Sequence, residues 1–90
     1  MNILKPAIAG TLESSDCMIT VMPSQGRTVE LEINSVVYRQ YGEAIRNVVE
    51  ETLRNLGVRE ANVRIQDMGA LDCVIAARVE TAVKRASEVM

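Results

Sequence analysis

The sequence predicts an α+β fold, a two-layer sandwich in which one four-stranded mixed sheet carries two helices on one face, in the order βββαβα. Three short stretches of extended, alternating character come first. A long stretch of helical periodicity follows, and then one more alternating stretch and a last helical one. A sheet with one apolar face and helices with one apolar stripe bury those surfaces against each other, which gives two layers.

The first two predicted strands are Ala7–Leu12 and Cys17–Met22. Pro6 precedes the first strand, a position that suits proline because no ladder N–H is needed there. The polar residues 13–16 leave only a short gap between the two strands, which indicates a hairpin tip exposed to solvent. We expect this tip to be mobile, because few apolar side chains hold it.

The clearest strand is Arg27–Asn34, which follows a turn at residues 23–26. Val29, Leu31 and Ile33 lie on one of its faces and polar side chains on the other, so we expect cover on one face only. Short turns allow the first three strands to form an antiparallel meander. The pattern leaves the strand order of the whole sheet open.

The first helix is predicted from about Ser35 to Leu56, with Ser35 as its N-cap and Gly57 as its C-terminal stop. Gly42 lies inside this pattern and costs about 1 kcal/mol relative to alanine. The turns before Gly42 could therefore form a separate short helix or a kink. A crossover through this helix places the next strand parallel to a neighbour, with right-handed sense.

The fourth strand is predicted at residues 61–66, and Asp67 with the residues after it ends that strand. The last helix runs from about Leu71 to Ala86, with Asp72 near its start. Lys84 and Arg85 lie in its last turns, so its charges match the helix dipole.

The composition predicts a single domain spanning residues 1–90 with an aliphatic core, because phenylalanine and tryptophan are absent. The chain has no histidine, the commonest general base and metal ligand. We therefore predict no catalytic residue and no metal ligand. The net charge of −2 and the dispersed basic residues argue against nucleic-acid binding.

No apolar stretch is long enough for a membrane span, and the first residues do not have the pattern of a secretory signal, so we expect a cytoplasmic protein. Cys17 and Cys73 lie far apart in sequence. We expect both to be small buried apolar groups in a reducing compartment, with a disulfide between them as the less favoured alternative.

Ser14 and Ser15, at the predicted hairpin tip, are the candidate functional residues. Serine also serves as an ordinary turn residue, which is the structural alternative. Only Glu13 and Asp16 lie close enough in sequence to act as bases, and carboxylates at an exposed tip are weak bases at neutral pH. We therefore expect a serine that accepts a group installed by another enzyme and does not itself catalyse.

A second pair of acids, Asp67 and Asp72, brackets the turn before the last helix. The two residues could form an acid pair or part of a metal site. We prefer a structural interpretation, in which one aspartate ends a strand and the other caps a helix.

The stretch Pro6–Ser14, with the sequence PAIAGTLES, closely resembles the start of the acyl carrier subunit of citrate lyase, its gamma chain. The resemblance continues through Ile33–Ser35, Tyr41–Arg46 and Gly69–Arg78, and covers nearly the whole chain in order. It implies that Ser14 carries a covalent 2'-(5''-phosphoribosyl)-3'-dephospho-coenzyme A arm through a phosphodiester. Spacing alone leaves the adjacent Ser15 as an alternative.

The resemblance implies a non-catalytic carrier of acetyl and citryl thioesters during cleavage of citrate to acetate and oxaloacetate. Its implied partners are the transferase (alpha) and lyase (beta) subunits of citrate lyase and a prosthetic-group transferase. Three alternatives stay open: the carrier subunit of malonate decarboxylase, a non-catalytic interaction module, and a small stand-alone enzyme, the last disfavoured by the missing histidine.

Overall fold

The computed structural model describes residues 1–88 and contains four strands and two helices in the predicted order βββαβα. Both helices pack on the same face of a single open sheet and share one apolar core with it. The α+β class is therefore confirmed. The elements are β1 (Ala7–Gly10), β2 (Cys17–Met22), β3 (Val29–Ser35), α1 (Tyr38–Asn55), β4 (Ala61–Asp67) and α2 (Asp72–Ser87).

The strands are arranged in the order β1-β2-β4-β3. β2 pairs antiparallel with both β1 and β4, whereas β3 pairs parallel with β4. The meander predicted for the first three strands is therefore wrong, because β4 lies between β2 and β3. The burial pattern agrees with this order: the inward residues of β4 are fully buried, as in a central strand, whereas those of the edge strand β3 are only half-buried. The parallel pairing across the α1 crossover is confirmed.

The core between the sheet and the helices is aliphatic, as the composition predicts. Alternate residues of β2 and β4 face the helices, and one stripe of each helix faces the sheet. Burying each large aliphatic side chain contributes about 1.5–3 kcal/mol. The largest fully buried aliphatic side chains are Ile19, Val21, Val49, Leu53, Val63, Ile65, Ile75, Val79 and Val83.

The start of α1 differs from the prediction. Ser35 is the last residue of β3, and the helix begins at Tyr38 without a side-chain cap. The Ser35 hydroxyl donates a 2.8 Å hydrogen bond to the buried Asp67 carboxylate and accepts one from the Val37 N–H at 3.1 Å. Ser35 is therefore not the N-cap, because its hydroxyl is used between two strand ends. Gly57 ends the helix as predicted, with a φ of 71° that suits glycine.

Gly42 lies inside one continuous helix, so α1 is not divided there. The ring of Tyr38 lies over Gly42, and an added Cβ at that position would be 2.8 Å from Cδ2 of the ring. The glycine therefore makes room for an aromatic side chain one turn earlier. Within residues 1–88, neither α1 nor α2 combines the length and the apolar character needed to cross a membrane.

Candidate functional site in the serine loop

The two candidate serines lie in a loop that joins β1 to β2, here called the serine loop (residues 11–16). The N–H of Asp16 donates to the carbonyl of Glu13 at 3.2 Å, so residues 13–16 form a closed four-residue turn. Ser14 and Ser15 are the two central residues of this turn, and both are exposed. Ser15 has a φ of 64°, in the left-handed region that favours glycine.

Asp16 holds the loop together. Its carboxylate accepts 2.7 Å hydrogen bonds from the Thr11 hydroxyl and from the Cys17 N–H. Arg78, on helix α2, adds two more: Nε donates to Oδ1 at 3.1 Å and Nη2 donates to Oδ2 at 2.9 Å. Both carboxylate oxygens are thus fully engaged, and the Asp16 side chain is only 14% exposed.

These contacts keep Asp16 ionised. The Arg78 hydrogen bonds, followed by those of Thr11 and the Cys17 N–H, lower the pKa of the Asp16 carboxyl to about 2. The same contact raises the pKa of the Arg78 guanidinium. A carboxylate with so low a pKa and with its lone pairs occupied does not take a proton from a serine at neutral pH. Asp16 is thus a weaker base than its position at an exposed tip leads us to expect.

Backbone hydrogen bonds tie the loop to the end of β4. The N–H of Ser15 donates to the carbonyl of Met68, and the N–H of Met68 donates to the carbonyl of Asp16, both at 2.9 Å. The Thr11 N–H donates to the Cys17 carbonyl at 3.1 Å, which closes the base of the loop. The loop is therefore fixed mainly by polar contacts.

Gly10, the last residue of β1, lets the two sides of the loop approach each other closely. Its φ of +98° is unfavourable for other residues. An added Cβ would be 1.9 Å from the Cys17 carbonyl oxygen and 3.3 Å from Cδ of Arg78. Only glycine fits here without displacing the backbone of β2.

The two residues of the second acidic pair have different surroundings. Asp67 ends β4 as predicted, is buried, and accepts a 2.8 Å hydrogen bond from the Ala70 N–H in addition to that from Ser35. Asp72 is the exposed first residue of α2, whose N-cap is Leu71, so the prediction of Asp72 as a cap is wrong. Asp72 still lies in the first turn of α2, where the helix dipole favours a negative charge. No cluster of three or more potential metal ligands occurs among residues 1–88.

The two cysteines are both free thiols, and they differ in exposure. Cys17 is buried as predicted, and burial raises the pKa of its thiol to about 11, with a smaller contribution from the charge of Asp16. Cys73 is exposed in the first turn of α2, so the expectation that it packs in the core is wrong. It lies off the apolar stripe that buries Ile75 and Val79.

Arg78 is the residue of this site that the sequence did not reveal. It lies 62 positions from Asp16 and belongs to a scattered set of basic residues. One signal was present: Arg78 directly precedes Val79 and follows Ile75 by three positions, so it borders the buried stripe of α2. An arginine at such a border can reach across to a neighbouring element.

Comparisons with known proteins show which family this chain is similar to. The family described as "ACP: Malonate decarboxylase delta subunit (MdcD)" matches residues 4–86. The citrate lyase acyl carrier protein of Clostridium perfringens (strain 13 / Type A) is 55% identical to this chain, over 99% of this chain and 88% of that protein. The protein of the same name from Streptococcus mutans serotype c is 52% identical, over 99% of this chain and 87% of that protein.

Among solved structures, a chain of a Pseudomonas malonate decarboxylase hetero-tetramer in complex with malonate superposes with a TM-score of 0.77. The match covers 97% of this chain and 93% of that chain at 18% identity, which shows a shared fold. The fold, the family match and the high identity to named carriers lead to one conclusion. This chain belongs to the family of acyl carrier proteins that includes the citrate lyase acyl carrier proteins.

Proposed function

We propose that this chain is the acyl carrier subunit of a citrate lyase and that residues 1–90 form a single carrier domain. The observation that carries the proposal is the 55% identity, over 99% of the chain, to a protein named citrate lyase acyl carrier protein. Membership of a carrier family implies a covalently attached prosthetic group. We propose Ser14 as the attachment residue and 2'-(5''-phosphoribosyl)-3'-dephospho-coenzyme A as the group.

The geometry of the serine loop supports Ser14 as the attachment residue. Its side chain is exposed in the middle of the turn, and within residues 1–88 the hydrogen bonds of the loop do not use its hydroxyl. The neighbouring polar groups are already engaged, since Thr11 and Asp16 bond to each other. Ser15 is more constrained, because its N–H is bonded to Met68 and its φ is positive.

Attachment joins the Ser14 oxygen to the phosphorus of an activated phosphoribosyl donor. The bond from that phosphorus to the donor's phosphate leaving group breaks, and the leaving group keeps the electron pair. The hydroxyl proton passes to a base of the attaching enzyme, a prosthetic-group transferase. We place this base on the enzyme because the Asp16 carboxyl, with a pKa of about 2, cannot serve, and Glu13, the other carboxylate of the turn, is exposed to solvent.

When bound, the arm supplies a thiol on which acetyl and citryl groups are carried as thioesters while citrate is converted to acetate and oxaloacetate. The chain itself anchors the arm on a well-packed body. Tethering makes each transfer effectively intramolecular and so raises the local concentration of the acyl group. We propose that the transferase (alpha) and lyase (beta) subunits of citrate lyase provide the catalytic sites, and that the complex is cytoplasmic.

Intact mass spectrometry of the protein from its native host tests the attachment. The wild type should carry the mass of the arm, Ser14→Ala should lose it, and Ser15→Gly should keep it. Ser15→Gly is the matched control because glycine suits the positive φ at that position. Retention of the arm in Ser14→Ala together with its loss in Ser15→Gly would show that Ser15 is the attachment residue.

The malonate decarboxylase carrier is the second candidate, favoured by the description of the matching family and by the structural similarity. The identity of 52–55% to citrate lyase carriers outweighs the 18% identity to the chain of the malonate decarboxylase structure. Affinity purification from the native host distinguishes the two. Co-purification of citrate-cleaving activity supports the proposal, and co-purification of malonate-decarboxylating activity contradicts it.

A further inference from the structure

We propose that Arg78 and Asp16 are positioning residues that present Ser14 to the attaching enzyme in one preformed turn. The attaching enzyme then recognises the serine loop in the fixed conformation that helix α2 maintains. A carrier whose serine loop is flexible is a poor substrate. This inference rests on the proposed attachment at Ser14.

The first step is the anchoring of Arg78. It lies on α2 directly before Val79 and three residues after Ile75, and both of those side chains are fully buried. The position of the Arg78 backbone is therefore fixed by the core. From there its guanidinium makes two hydrogen bonds to the Asp16 carboxylate, a geometry that fixes orientation as well as distance.

The second step leads from Asp16 to Ser14. The Asp16 N–H closes the turn on the Glu13 carbonyl, and its carbonyl accepts from the Met68 N–H. Fixing Asp16 therefore fixes the turn that contains Ser14. The contacts of Asp16 with Thr11 and Cys17 lie within or next to the loop, so Arg78 provides the side-chain link between the loop and α2.

The third step concerns the turn itself. Ser15 holds a φ of 64°, which a serine does not favour in a free loop. Contacts from outside the turn have to maintain this conformation, and they are the backbone hydrogen bonds to Met68 together with the contact of Arg78 with Asp16. Without the guanidinium, we expect the turn to sample other conformations, and the fraction of carriers with a correctly presented Ser14 to fall.

The apparent affinity of the attaching enzyme falls in proportion to that fraction. If one carrier in ten keeps the turn, KM for the carrier rises about tenfold while kcat stays nearly unchanged. A change confined to KM separates this role from a catalytic contribution of Arg78. It also separates the role from loss of the fold, which the unfolding midpoint measures directly.

The test uses the full-length carrier, the purified attaching enzyme and the activated phosphoribosyl donor. Intact mass spectrometry measures the attachment. Arg78→Met removes the guanidinium and keeps the aliphatic stem. Arg78→Lys restores a charge without the two-pronged geometry. The matched control is Lys84→Met, which removes the exposed ion pair of Lys84 with Glu80 on the same helix, away from the loop.

We expect KM for Arg78→Met to rise about tenfold, that for Arg78→Lys to rise less, and that for Lys84→Met to match the wild type. Amide hydrogen exchange of Ser15 should accelerate in Arg78→Met while the core amides stay protected. If Arg78→Met does not fold, Arg78→Gln serves instead, because it keeps a polar side chain but removes the charge and the paired donors; it should also raise KM, and a wild-type KM in this variant would equally overturn the inference.

Wild-type KM in a folded Arg78→Met variant would overturn the inference and leave the proposed function intact. A loss of attachment that only parallels a loss of global stability would also overturn the inference. A wild-type carrier that receives no arm at Ser14 would overturn the proposed function itself, and the inference with it. The wild-type sample therefore distinguishes the two failures.

Discussion

The hydroxyl of Ser35 donates a 2.8 Å hydrogen bond to the buried carboxylate of Asp67, and the two residues end the adjacent parallel strands β3 and β4. The second carboxylate oxygen of Asp67 accepts from the Ala70 N–H, which fixes the approach to α2. One side chain thus connects the loops that lead into both helices.

Asp67→Ala should destabilise the fold, because it leaves the Ser35 hydroxyl and the Ala70 N–H without their acceptor. We expect a loss of about 3 kcal/mol in the free energy of unfolding, since hydrogen bonds to charged groups contribute about 1.5–3 kcal/mol each. Ser35→Ala should cost about 1 kcal/mol. Urea denaturation of both single variants and the double variant measures the coupling, and strictly additive losses would contradict a direct interaction.

Gly10→Ala should be severely destabilising, because the new Cβ would meet the Cys17 carbonyl oxygen at 1.9 Å and the φ is +98°. We expect a loss of at least about 2 kcal/mol. Gly69→Ala is the matched control: its φ is +90°, but nothing lies within 4 Å of the added Cβ. The control should therefore lose only the conformational part, about 1 kcal/mol. Equal losses in the two variants, measured by chemical denaturation, would show that the close approach at Gly10 is unimportant.

The pH dependence of stability should show the Asp16 contact. The pKa of its carboxyl is lowered from 3.8 to about 2 in the folded protein, so the folded state favours the ionised form. The resulting stabilisation is complete well above pH 3.8, begins to fall as the pH approaches that value, and is lost as the pH falls through about 2. The stability difference between wild type and Asp16→Asn should thus stay constant from about pH 7 to pH 5 and shrink at lower pH. An Asp16 carboxyl that titrates by NMR at its ordinary value would refute the contact.

The two thiols should react at very different rates. Cys73 is exposed, whereas Cys17 is buried and its pKa is raised to about 11. Since the thiolate is the reactive form, a thiol reagent at neutral pH should modify Cys73 rapidly and Cys17 only after denaturation. Cys73→Ser should abolish the rapid phase, while Cys17→Ala should preserve it. Rapid modification of two thiols in the native wild type would contradict the burial of Cys17.

Local patterns in the sequence were sufficient for the elements and for the serine loop. Alternation at Val29, Leu31 and Ile33 located β3, and the polar gap at residues 13–16 located the turn. The strand order was not predictable in this way, because it depends on pairing between residues far apart in sequence. β4 pairs with β2 across more than forty positions, as in the contact between Ile19 and Ile65.

The polar contacts of Asp67 and Asp16 could not be predicted from the sequence for the same reason. Serine is a residue type that favours N-cap positions, but the hydroxyl of Ser35 donates its hydrogen bond to a buried carboxylate on another strand. The tip was expected to be mobile because it lacks apolar anchors, an expectation that did not include the bonds of Asp16 to Arg78. Amide exchange at residues 13–16 tests that expectation: the preformed turn proposed above predicts protection at Ser15 and Asp16, whose N–H groups are bonded, and such protection would contradict a mobile tip.

The position of β4 between β2 and β3 has a consequence for synthesis on the ribosome. A nascent chain that ends before Ala61 has no strand to fill the gap between β2 and β3, so both keep an unpaired edge. Unpaired edges are prone to association with other chains. The sheet closes only after residues 61–67 have emerged from the ribosome, so the growing chain passes through a stage in which β2 and β3 expose edges that β4 later covers.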